Sequence, residues 1–235
     1  MLKVLLTGPS GRLGPHLLGP FRERYELSTF DLQPSDEANS FVGDLSEIEP
    51  LRAAMRGVDV VVHLAATSDE APFVEKLVGP NVIGVYNVLE AAYLEKVRRV
   101  IFASSIQAVG FGWRENARPL DVVSPPRPST LYGATKIMGE TMGRYYHDKH
   151  GLEFISLRIG AFQPYDSPLL KHQGIRELWL SPRDAVGIFY AAIETGGISY
   201  GIANATSHTT IERMALQPAR DLLNWEPQDS VSDIN

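Results

Sequence analysis

Two side chains near the middle of the chain have the types and spacing of an acid–base pair. Tyr132 and Lys136 lie four residues apart in a stretch, 131–150, with helical periodicity, so a helix would place them on one face, one turn apart. A free tyrosine has a pKa of about 10, and a neighbouring ammonium favours its phenolate, which is a base. An amphipathic helix with an exposed lysine and a half-buried tyrosine explains the same spacing, so other residues are needed to decide between the two interpretations.

A pair of serines ends a predicted strand upstream of this helix. Ser104 and Ser105 come at the end of a predicted strand that begins at Arg99 and is otherwise mostly hydrophobic. Ligands of open α/β folds bind at the carboxyl ends of the strands. The Ser105 hydroxyl could hold a substrate hydroxyl or carbonyl oxygen there, although a serine that caps a strand end is also common. Ser105, Tyr132 and Lys136 are therefore the candidate catalytic residues.

A glycine-rich turn near the start of the chain predicts a dinucleotide site. Segment 7–14 reads Thr-Gly-Pro-Ser-Gly-Arg-Leu-Gly and joins a predicted strand to a predicted helix at 11–22. Gly8 permits a tight turn, Gly11 lets the backbone approach a pyrophosphate, and Gly14 lets the helix pack closely on the strand. Free amides at the helix N-terminus bind the phosphates. The glycines alone are weak evidence, but the strand–turn–helix context is the one that the motif requires.

An acidic residue at the end of the second predicted strand fits the same site. Asp31 lies about 23 residues after Gly8, where a carboxylate accepts hydrogen bonds from the adenosine ribose hydroxyls and repels a 2′-phosphate. An acidic residue at this position favours NAD over NADP. The alternative is that Asp31 is a solvated loop residue with no ligand. Asp44, followed by Leu45, is placed to contact the adenine, although an aspartate at a helix entry explains it nearly as well.

Short β-branched runs alternate with longer helical stretches along the chain. The predicted strands are Lys3–Thr7, Glu26–Phe30, Val58–Leu64, Arg99–Ser104, Glu153–Arg158 and Tyr200–Asn204. The predicted helices are 11–22, 46–56, 81–96, 131–150 and 182–195, and the one at 46–56 begins with a capping-box pattern at Ser46–Glu49. This alternation predicts an α/β fold, a Rossmann-type doubly wound parallel sheet with helices on both faces and a small C-terminal substrate-capping region.

The arrangement predicts one Rossmann-like NAD(P)-binding domain over 1–235. Its substrate-site segments are expected at about 105–130, 160–181 and 204–217. Regions 111–130 and 161–181 contain several prolines and break the periodicity, and loops of that length in α/β folds are usually binding segments. Only about 75 residues follow Arg158, which favours a small substrate over a nucleotide sugar.

Composition excludes several classes of function. The 235 residues include no Cys, which excludes disulfides, thiolate metal sites and cysteine nucleophiles, and the 6 His lack metal-ligand spacing, so no metal is expected. The net charge of −6 argues against nucleic-acid and anionic-membrane partners. Neither a signal-peptide core nor an apolar run of membrane-spanning length is present, so a cytoplasmic protein is expected.

Taken together, these motifs resemble the extended short-chain dehydrogenases/reductases, a superfamily of NAD-dependent sugar epimerases, dehydratases and dehydrogenases. The resemblance covers essentially the whole chain. Its motifs are Thr7–Gly14, Asp31, Asp44-Leu45, His63–Ala66, Asn81, Ser104-Ser105, Tyr132 and Lys136. It implies that Tyr132 is the general acid/base, that Lys136 lowers the pKa of Tyr132 and holds the nicotinamide ribose, and that Ser105 polarises the reacting oxygen.

The same resemblance implies a full set of ligand contacts, with NAD as the cofactor. The implied cofactor-binding residues are Gly8, Ser10, Gly11, Arg12, Leu13, Gly14, Asp31, Asp44, Leu45, Leu64, Ala65, Ala66, Asn81, Tyr132, Lys136 and Ile159. The implied substrate contacts are Ser68, Ser105, Gln107, Tyr132 and Ala161. Asn81 lies where the family has a helix asparagine that supports the active site, though it could equally be an N-cap for 82–96. Trp113 and Trp179 are candidates to cover the substrate, with Trp179 as readily a core residue.

Within the superfamily the chain resembles in particular the uronate dehydrogenases and related NAD-dependent sugar dehydrogenases, which oxidise C1 of a cyclic sugar to a lactone. The stretches Val62–Ser68, Leu157–Gly160 and Asn224–Pro227 contribute to this resemblance. Three positions depart from the uronate pattern. An Asn-His pair is replaced by Ile106-Gln107, a serine by Ala161, and the carboxylate-binding arginine falls near Leu170, next to Lys171.

The expected function is oxidation of a hydroxyl, at C1, of a small sugar or sugar acid, with hydride transfer to NAD. The alternative is a nucleotide-sugar epimerase or dehydratase in which bound NAD is reduced only transiently. Helices 81–96 and 131–150 dimerise related enzymes, so the resemblance also implies a homodimer.

Overall fold

A parallel sheet runs through the described residues, 1–115 and 119–234 of the computed structural model. The strands in chain order are β1 (Lys3–Thr7), β2 (Glu26–Asp31), β3 (Ser40–Val42), β4 (Val60–His63), β5 (Arg99–Ser105), β6 (Glu153–Ile159), β7 (Ala161–Phe162), β8 (Trp179–Leu180) and β9 (Tyr200–Ala205). The main sheet has the order β3-β2-β1-β4-β5-β6-β9, and β7 pairs with β8 in a separate sheet. The order reverses between β1 and β4, which is where such folds bind dinucleotides.

The predicted strands are confirmed, with bounds that shift by one or two residues. The run at 58–64 forms a shorter strand, Val60–His63, while β3 was not predicted because only three residues extend it. All pairings of the main sheet are parallel. Its strands therefore end at one common edge, where the candidate site residues of β4, β5 and β6 meet.

Helices cover both faces of the sheet, as the apolar strands require. They are α1 (Gly14–Arg24), α2 (Ile48–Met55), α3 (Gly84–Leu94), α4 (Gly110–Glu115), α5 (Leu131–His150), α6 (Gln173–Arg176), α7 (Pro182–Glu194) and α8 (Gln217–Leu223). On one face Phe21 of α1 and Phe189 of α7 are fully buried, and on the other Leu51 of α2 and Val88 of α3 are. The doubly wound Rossmann-type architecture is thereby confirmed.

Helix α5 occupies the predicted range, 131–150, because both of its ends have local signals. The Thr130 side chain accepts a hydrogen bond of 2.9 Å from the amide of Gly133, which caps the first turn. Gly151 follows the last turn with a φ of 71°, the left-handed conformation that ends many helices. The first turn of α5 carries Tyr132, so this cap fixes the position of a candidate catalytic residue.

Two helix predictions need correction. The capping box at Ser46–Glu49 does not form, since the Ser46 amide donates to the Asp44 carboxylate at 2.8 Å and the helix begins only at Ile48. The predicted helix 81–96 is instead a π-helix, Phe73–Ile83, followed by α3. Pro80 has no amide hydrogen for the ordinary helical ladder, which accounts for the irregular segment.

The two proline-rich regions contain more regular structure than predicted. Region 111–130 begins in α4, and its Leu120 pairs with Met214 near the C-terminus. Region 161–181 contains β7, α6, β8 and a short 3₁₀ turn at Pro168–Lys171. The extent of a single domain over 1–235 stays a prediction. Within the described part of the chain, none of the helices has the length and hydropathy needed to cross a membrane.

Candidate functional site

The glycine turn between β1 and α1 brings the backbone close to two neighbouring segments. Gly8 has a φ of 73°, and a Cβ at this position would lie 2.7 Å from the Ala65 backbone. A Cβ on Gly14 would lie 2.1 Å from the Pro9 carbonyl oxygen. Helix α1 starts at Gly14 rather than 11, and no side chain caps its first amides. Pro15 has no amide hydrogen and the His16 amide donates to the Leu13 carbonyl oxygen at 3.0 Å, so among the first three helical residues the Gly14 amide is the one available to a phosphate group.

Asp31 at the end of β2 is held next to this turn by hydrogen bonds. The hydroxyl and amide of Ser10 donate to Asp31 Oδ2 at 2.7 and 3.0 Å, and the Leu32 amide donates to Oδ1 at 2.7 Å. The carboxylate thus lies beside the phosphate-binding turn in a fixed orientation. This is the arrangement expected of a residue that contacts an adenosine ribose.

A cavity of about 500 Å³ extends from the glycine turn to the ends of β5 and β6. Gly8, Gly11, Arg12, Leu13, Leu64, Ala66 and Ile159 line it among the predicted cofactor residues. Ala65 contributes its backbone beside Gly8 instead. The volume is in the range of small-molecule sites. The shape, glycine turn and neighbouring carboxylate fit a dinucleotide, and the predicted residues would hold it.

Two of the predicted cofactor residues have structural contacts of their own. Asp44 caps the entry to α2 through the Ser46 amide, as its alternative interpretation proposed. Leu45 is 7% exposed, packs in the core and accepts a hydrogen bond from Asn87 through its carbonyl oxygen. Neither residue lies on the described cavity wall, so a contact with the adenine stays a prediction for both.

Ser105, Tyr132 and Lys136 meet on one wall of the cavity. Ser105 ends β5, and the other two lie one turn apart on α5. The Lys136 ammonium lies 5.4 Å from the centre of the Tyr132 ring and 4.9 Å from the centre of the Phe102 ring. The structure therefore brings together the three residues that sequence reasoning selected, although they come from segments about 30 residues apart.

The charges of Tyr132 and Lys136 are governed mainly by burial. Burial raises the pKa of Tyr132 to about 12, and the negative charge of Asp69 acts in the same direction, while Ser105 and Arg12 lower it. Burial lowers the pKa of Lys136 to about 7, against a raising interaction with Glu140. Burial dominates the pKa of Tyr132, so a lowering of that pKa by Lys136 stays a prediction.

A buried ion pair lies behind helix α5, which carries Tyr132 and Lys136. Glu140, one turn after Lys136, accepts hydrogen bonds from Arg158 Nε at 2.9 Å and Nη2 at 2.8 Å. Ser104 and Ser156 donate to the same carboxylate at 2.7 and 3.3 Å. Sequence reasoning missed this cluster, because its members are far apart in the chain and share no motif. It joins α5 to β5 and β6 under the site and holds the backbone that carries Lys136.

Asn81 connects the wall after β4 to the catalytic helix. Its side chain accepts from the Thr67 amide at 2.8 Å and donates to the Thr67 carbonyl oxygen at 2.9 Å and to Thr135 at 3.2 Å. It is 2% exposed and lies inside the π-helix, which excludes the alternative of an N-cap. Asn81 therefore supports the site through Thr67 and Thr135, and a direct contact with the cofactor stays a prediction.

The predicted substrate residues Ser68, Gln107 and Ala161 also line the cavity. Asp69, Gln163 and His172 line the same region and were missed, since irregular segments carry them. Leu170 is buried against Trp179, and Lys171 is absent from the described cavity wall. Trp179 is fully buried, as its core interpretation requires, and the Trp113 side chain lies outside the described residues.

The fold and this site define a dinucleotide-dependent enzyme of the short-chain dehydrogenase/reductase class. The model of the NAD dependent epimerase/dehydratase family matches residues 4–163, and the chain belongs to that family. Family membership confirms the resemblance and NAD as the cofactor.

Individual relatives agree with this assignment. The chain is 35% identical to the NAD-dependent glucose-6-phosphate dehydrogenase of Haloferax volcanii, over 98% of this chain and 95% of that protein. It is 33% identical to a uronate dehydrogenase of Pseudomonas syringae pv. tomato, over 97% of this chain and 82% of that protein. A uronate dehydrogenase variant from Agrobacterium tumefaciens, complexed with NAD, superimposes with a TM-score of 0.88 at 29% identity, covering 99% of this chain and 87% of that one.

Proposed function

We propose that the protein oxidises a hydroxyl group, at C1, of a small sugar or sugar acid and transfers the hydride to NAD. The observation that carries this proposal is the convergence of Ser105, Tyr132 and Lys136 on the cavity that begins at the glycine turn. The similarity to dehydrogenases of glucose 6-phosphate and of uronates supports a sugar-type substrate. A further relative, 27% identical over the whole chain, is an L-arabinose 1-dehydrogenase from Haloferax volcanii.

In the proposed reaction Tyr132 removes the proton of the C1 hydroxyl. Bound NAD supplies the hydride acceptor, so the C1–H bond breaks with its electron pair and a C1–oxygen double bond forms, which yields a lactone from a cyclic sugar. Tyr132 acts here in its phenolate form, so the hydroxyl proton passes to the Tyr132 oxygen and atoms and charge balance across the step. Ser105 holds the reacting oxygen by a hydrogen bond at the end of β5.

Lys136 supports this proton transfer through its positive charge. A phenolate at a buried tyrosine is unfavourable, and burial raises the pKa of Tyr132 accordingly. A protonated Lys136 next to the ring offsets part of that cost, and Glu140 one turn away favours the protonated form of the lysine. In this account Lys136 also holds the nicotinamide ribose, and Ser68 and Gln107 contact the sugar.

The alternative of a nucleotide-sugar epimerase or dehydratase uses the same three residues, so activity has to separate the two. The experiment is to incubate the protein and NAD with free sugars, sugar acids, sugar phosphates and nucleotide sugars, and to record NADH by absorbance. The proposal predicts net NADH from at least one free sugar or sugar derivative. No NADH from any of them, together with isomerisation of a nucleotide sugar, contradicts it.

We also infer that the protein forms a homodimer through the outer sides of α3 and α5, and that it works in the cytoplasm. Exposed apolar side chains on and next to these helices support the dimer, among them Ile83, Tyr86, Tyr93 and Met138. A surface of this kind commonly marks a protein interface. Light scattering tests the inference, and a mass of one chain at micromolar concentration contradicts it.

A further inference from the structure

Asp69 is an acidic residue on the cavity wall whose backbone is held in an unusual conformation. It lies two residues after Thr67, which Asn81 fixes, and its φ of 65° is in the left-handed region that non-glycine residues rarely occupy. Such conformations persist where the surrounding structure holds them and are concentrated at functional sites. Asp69 lines the cavity, and its side chain is 59% exposed.

The loop that carries Asp69 is attached directly to the catalytic helix. The carboxylate of the next residue, Glu70, accepts a hydrogen bond of 2.8 Å from the Leu131 amide at the start of α5. Asp69 is consequently close to Tyr132, and its negative charge contributes to raising the pKa of that phenol. A group at this place lies within reach of a substrate whose hydroxyl is positioned on Tyr132.

The partner of the Asp69 carboxylate is Arg12, which belongs to the glycine turn. An arginine at this point of the turn is placed for the pyrophosphate of a dinucleotide, whose charge competes with Asp69 for the guanidinium. With Arg12 on a pyrophosphate, the Asp69 carboxylate, whose side chain is 59% exposed, would be open to other hydrogen-bond donors. The hydroxyl groups of a bound sugar would be such donors, whereas the carboxylate of a sugar acid or the phosphate of a sugar phosphate would meet a like charge at Asp69.

The remaining described wall offers little to an anionic substrate. Gln107, Ala161 and Gln163, which line the cavity, are uncharged. Among the described lining residues the basic ones are Arg12, Lys136 and His172. The first is placed for the cofactor and the second lies one turn from Tyr132 on α5, which leaves His172 as the remaining basic side chain of the described lining.

We propose that Asp69 is a substrate-binding residue that accepts hydrogen bonds from the hydroxyl groups of an uncharged aldose and excludes sugar acids and sugar phosphates. This inference rests on the proposed sugar dehydrogenase function and specifies its substrate class. It differs from the activities named for the relatives that act on uronates and on glucose 6-phosphate. The residue that would set this substrate class is Asp69, which pairs with Arg12 of the glycine turn and acts electrostatically on Tyr132.

The test compares kcat/KM for neutral aldoses (xylose, arabinose, glucose and galactose) with that for glucuronate, galacturonate and glucose 6-phosphate. It uses the wild type, Asp69→Asn and the control Glu75→Gln, which removes one negative charge from an exposed position of the following helix. Asparagine has the shape of aspartate and tolerates the left-handed conformation, so Asp69→Asn preserves the loop. The KM for NAD is measured for each protein alongside the sugar kinetics.

We expect the wild type to prefer a neutral aldose. Asp69→Asn should lower kcat/KM for that sugar about tenfold, mainly by raising its KM, as the loss of a hydrogen bond to a charged group does. It should also reduce the discrimination against sugar acids, while Glu75→Gln changes neither value.

Three results would overturn the inference. A wild type that prefers an anionic sugar contradicts it, as does an Asp69→Asn variant with an unchanged ratio between neutral and anionic sugars. A change confined to the KM for NAD would show that Asp69 acts only on Arg12. NADH from anionic sugars alone contradicts this inference and leaves the proposed dehydrogenase function standing, whereas NADH from no sugar at all contradicts both.

Discussion

The two sides of the cavity are built from different kinds of structure. The proposed cofactor side combines the glycine turn and the wall residues Leu64 and Ala66 with Asp31, which lies beside the turn. These groups follow neighbouring strands at the point where the sheet order reverses. The substrate side consists of side chains on irregular segments, such as Asp69, Gln163 and His172. A dinucleotide is bound largely by backbone groups and helix ends, whereas a sugar is recognised by individual side chains. The first can stay constant among relatives while the second changes.

We expect Tyr132→Phe to distinguish the two sides of the cavity most clearly, because it should affect turnover but not the binding of NAD. Loss of the phenol hydroxyl removes the proposed base, so kcat should fall by at least about 10³-fold, while the Kd for NAD changes by less than about threefold. Steady-state kinetics and NAD titration by fluorescence measure the two quantities. Tyr145→Phe is the matched control, since Tyr145 lies on the same helix and is 56% exposed.

Residual activity of Tyr132→Phe near that of the Tyr145→Phe control would remove Tyr132 from the acid–base role. Equal losses of turnover and of NAD affinity would instead show that the substitution damages the cofactor side as well. Only a selective loss of turnover agrees with the division of the cavity.

A second prediction concerns the buried Glu140–Arg158 ion pair beneath the site. Glu140→Ala leaves the Arg158 guanidinium buried without its carboxylate, and a broken buried pair costs about 3–5 kcal/mol in the free energy of unfolding. Asp148→Ala on the same helix breaks an exposed pair with Arg144, for which about 0–1 kcal/mol is expected. Urea unfolding followed by circular dichroism measures both variants.

Equal destabilisation by Glu140→Ala and Asp148→Ala would contradict the structural role of the buried cluster. If Glu140→Ala does not fold, Glu140→Gln retains the hydrogen-bonding shape and provides the smaller perturbation. Its unfolding free energy should lie between those of Glu140→Ala and the wild type.

A smaller effect is expected within the cofactor side. Asp31→Ala removes the carboxylate that Ser10 holds beside the glycine turn and that would contact the adenosine ribose, so the ratio of kcat/KM with NAD to that with NADP should fall about tenfold. Asp36→Ala, an exposed aspartate shortly after β2, is the control. An unchanged ratio for Asp31→Ala would exclude Asp31 from the ribose site.

The same contrast explains which parts of the fold and of the site could be predicted from the sequence. The sheet, helix α5 and the three candidate catalytic residues follow from local patterns, because periodicity, caps and glycine turns involve neighbours in the chain. The Glu140–Arg158 pair could not be predicted, since tertiary packing alone brings the two residues together. The sequence did not predict Asp69 for a different reason: no local pattern indicates an aspartate in the left-handed conformation in a loop.

The central claim is that a hydride leaves C1 of a sugar and is released as NADH. The most direct measurement uses an aldose labelled with deuterium at C1 and follows the label by mass spectrometry in both the nucleotide and the sugar. The account predicts free, deuterated NADH in equal amount to an unlabelled lactone or aldonic acid. Deuterium that remains in the sugar, with no reduced nucleotide released, would contradict it.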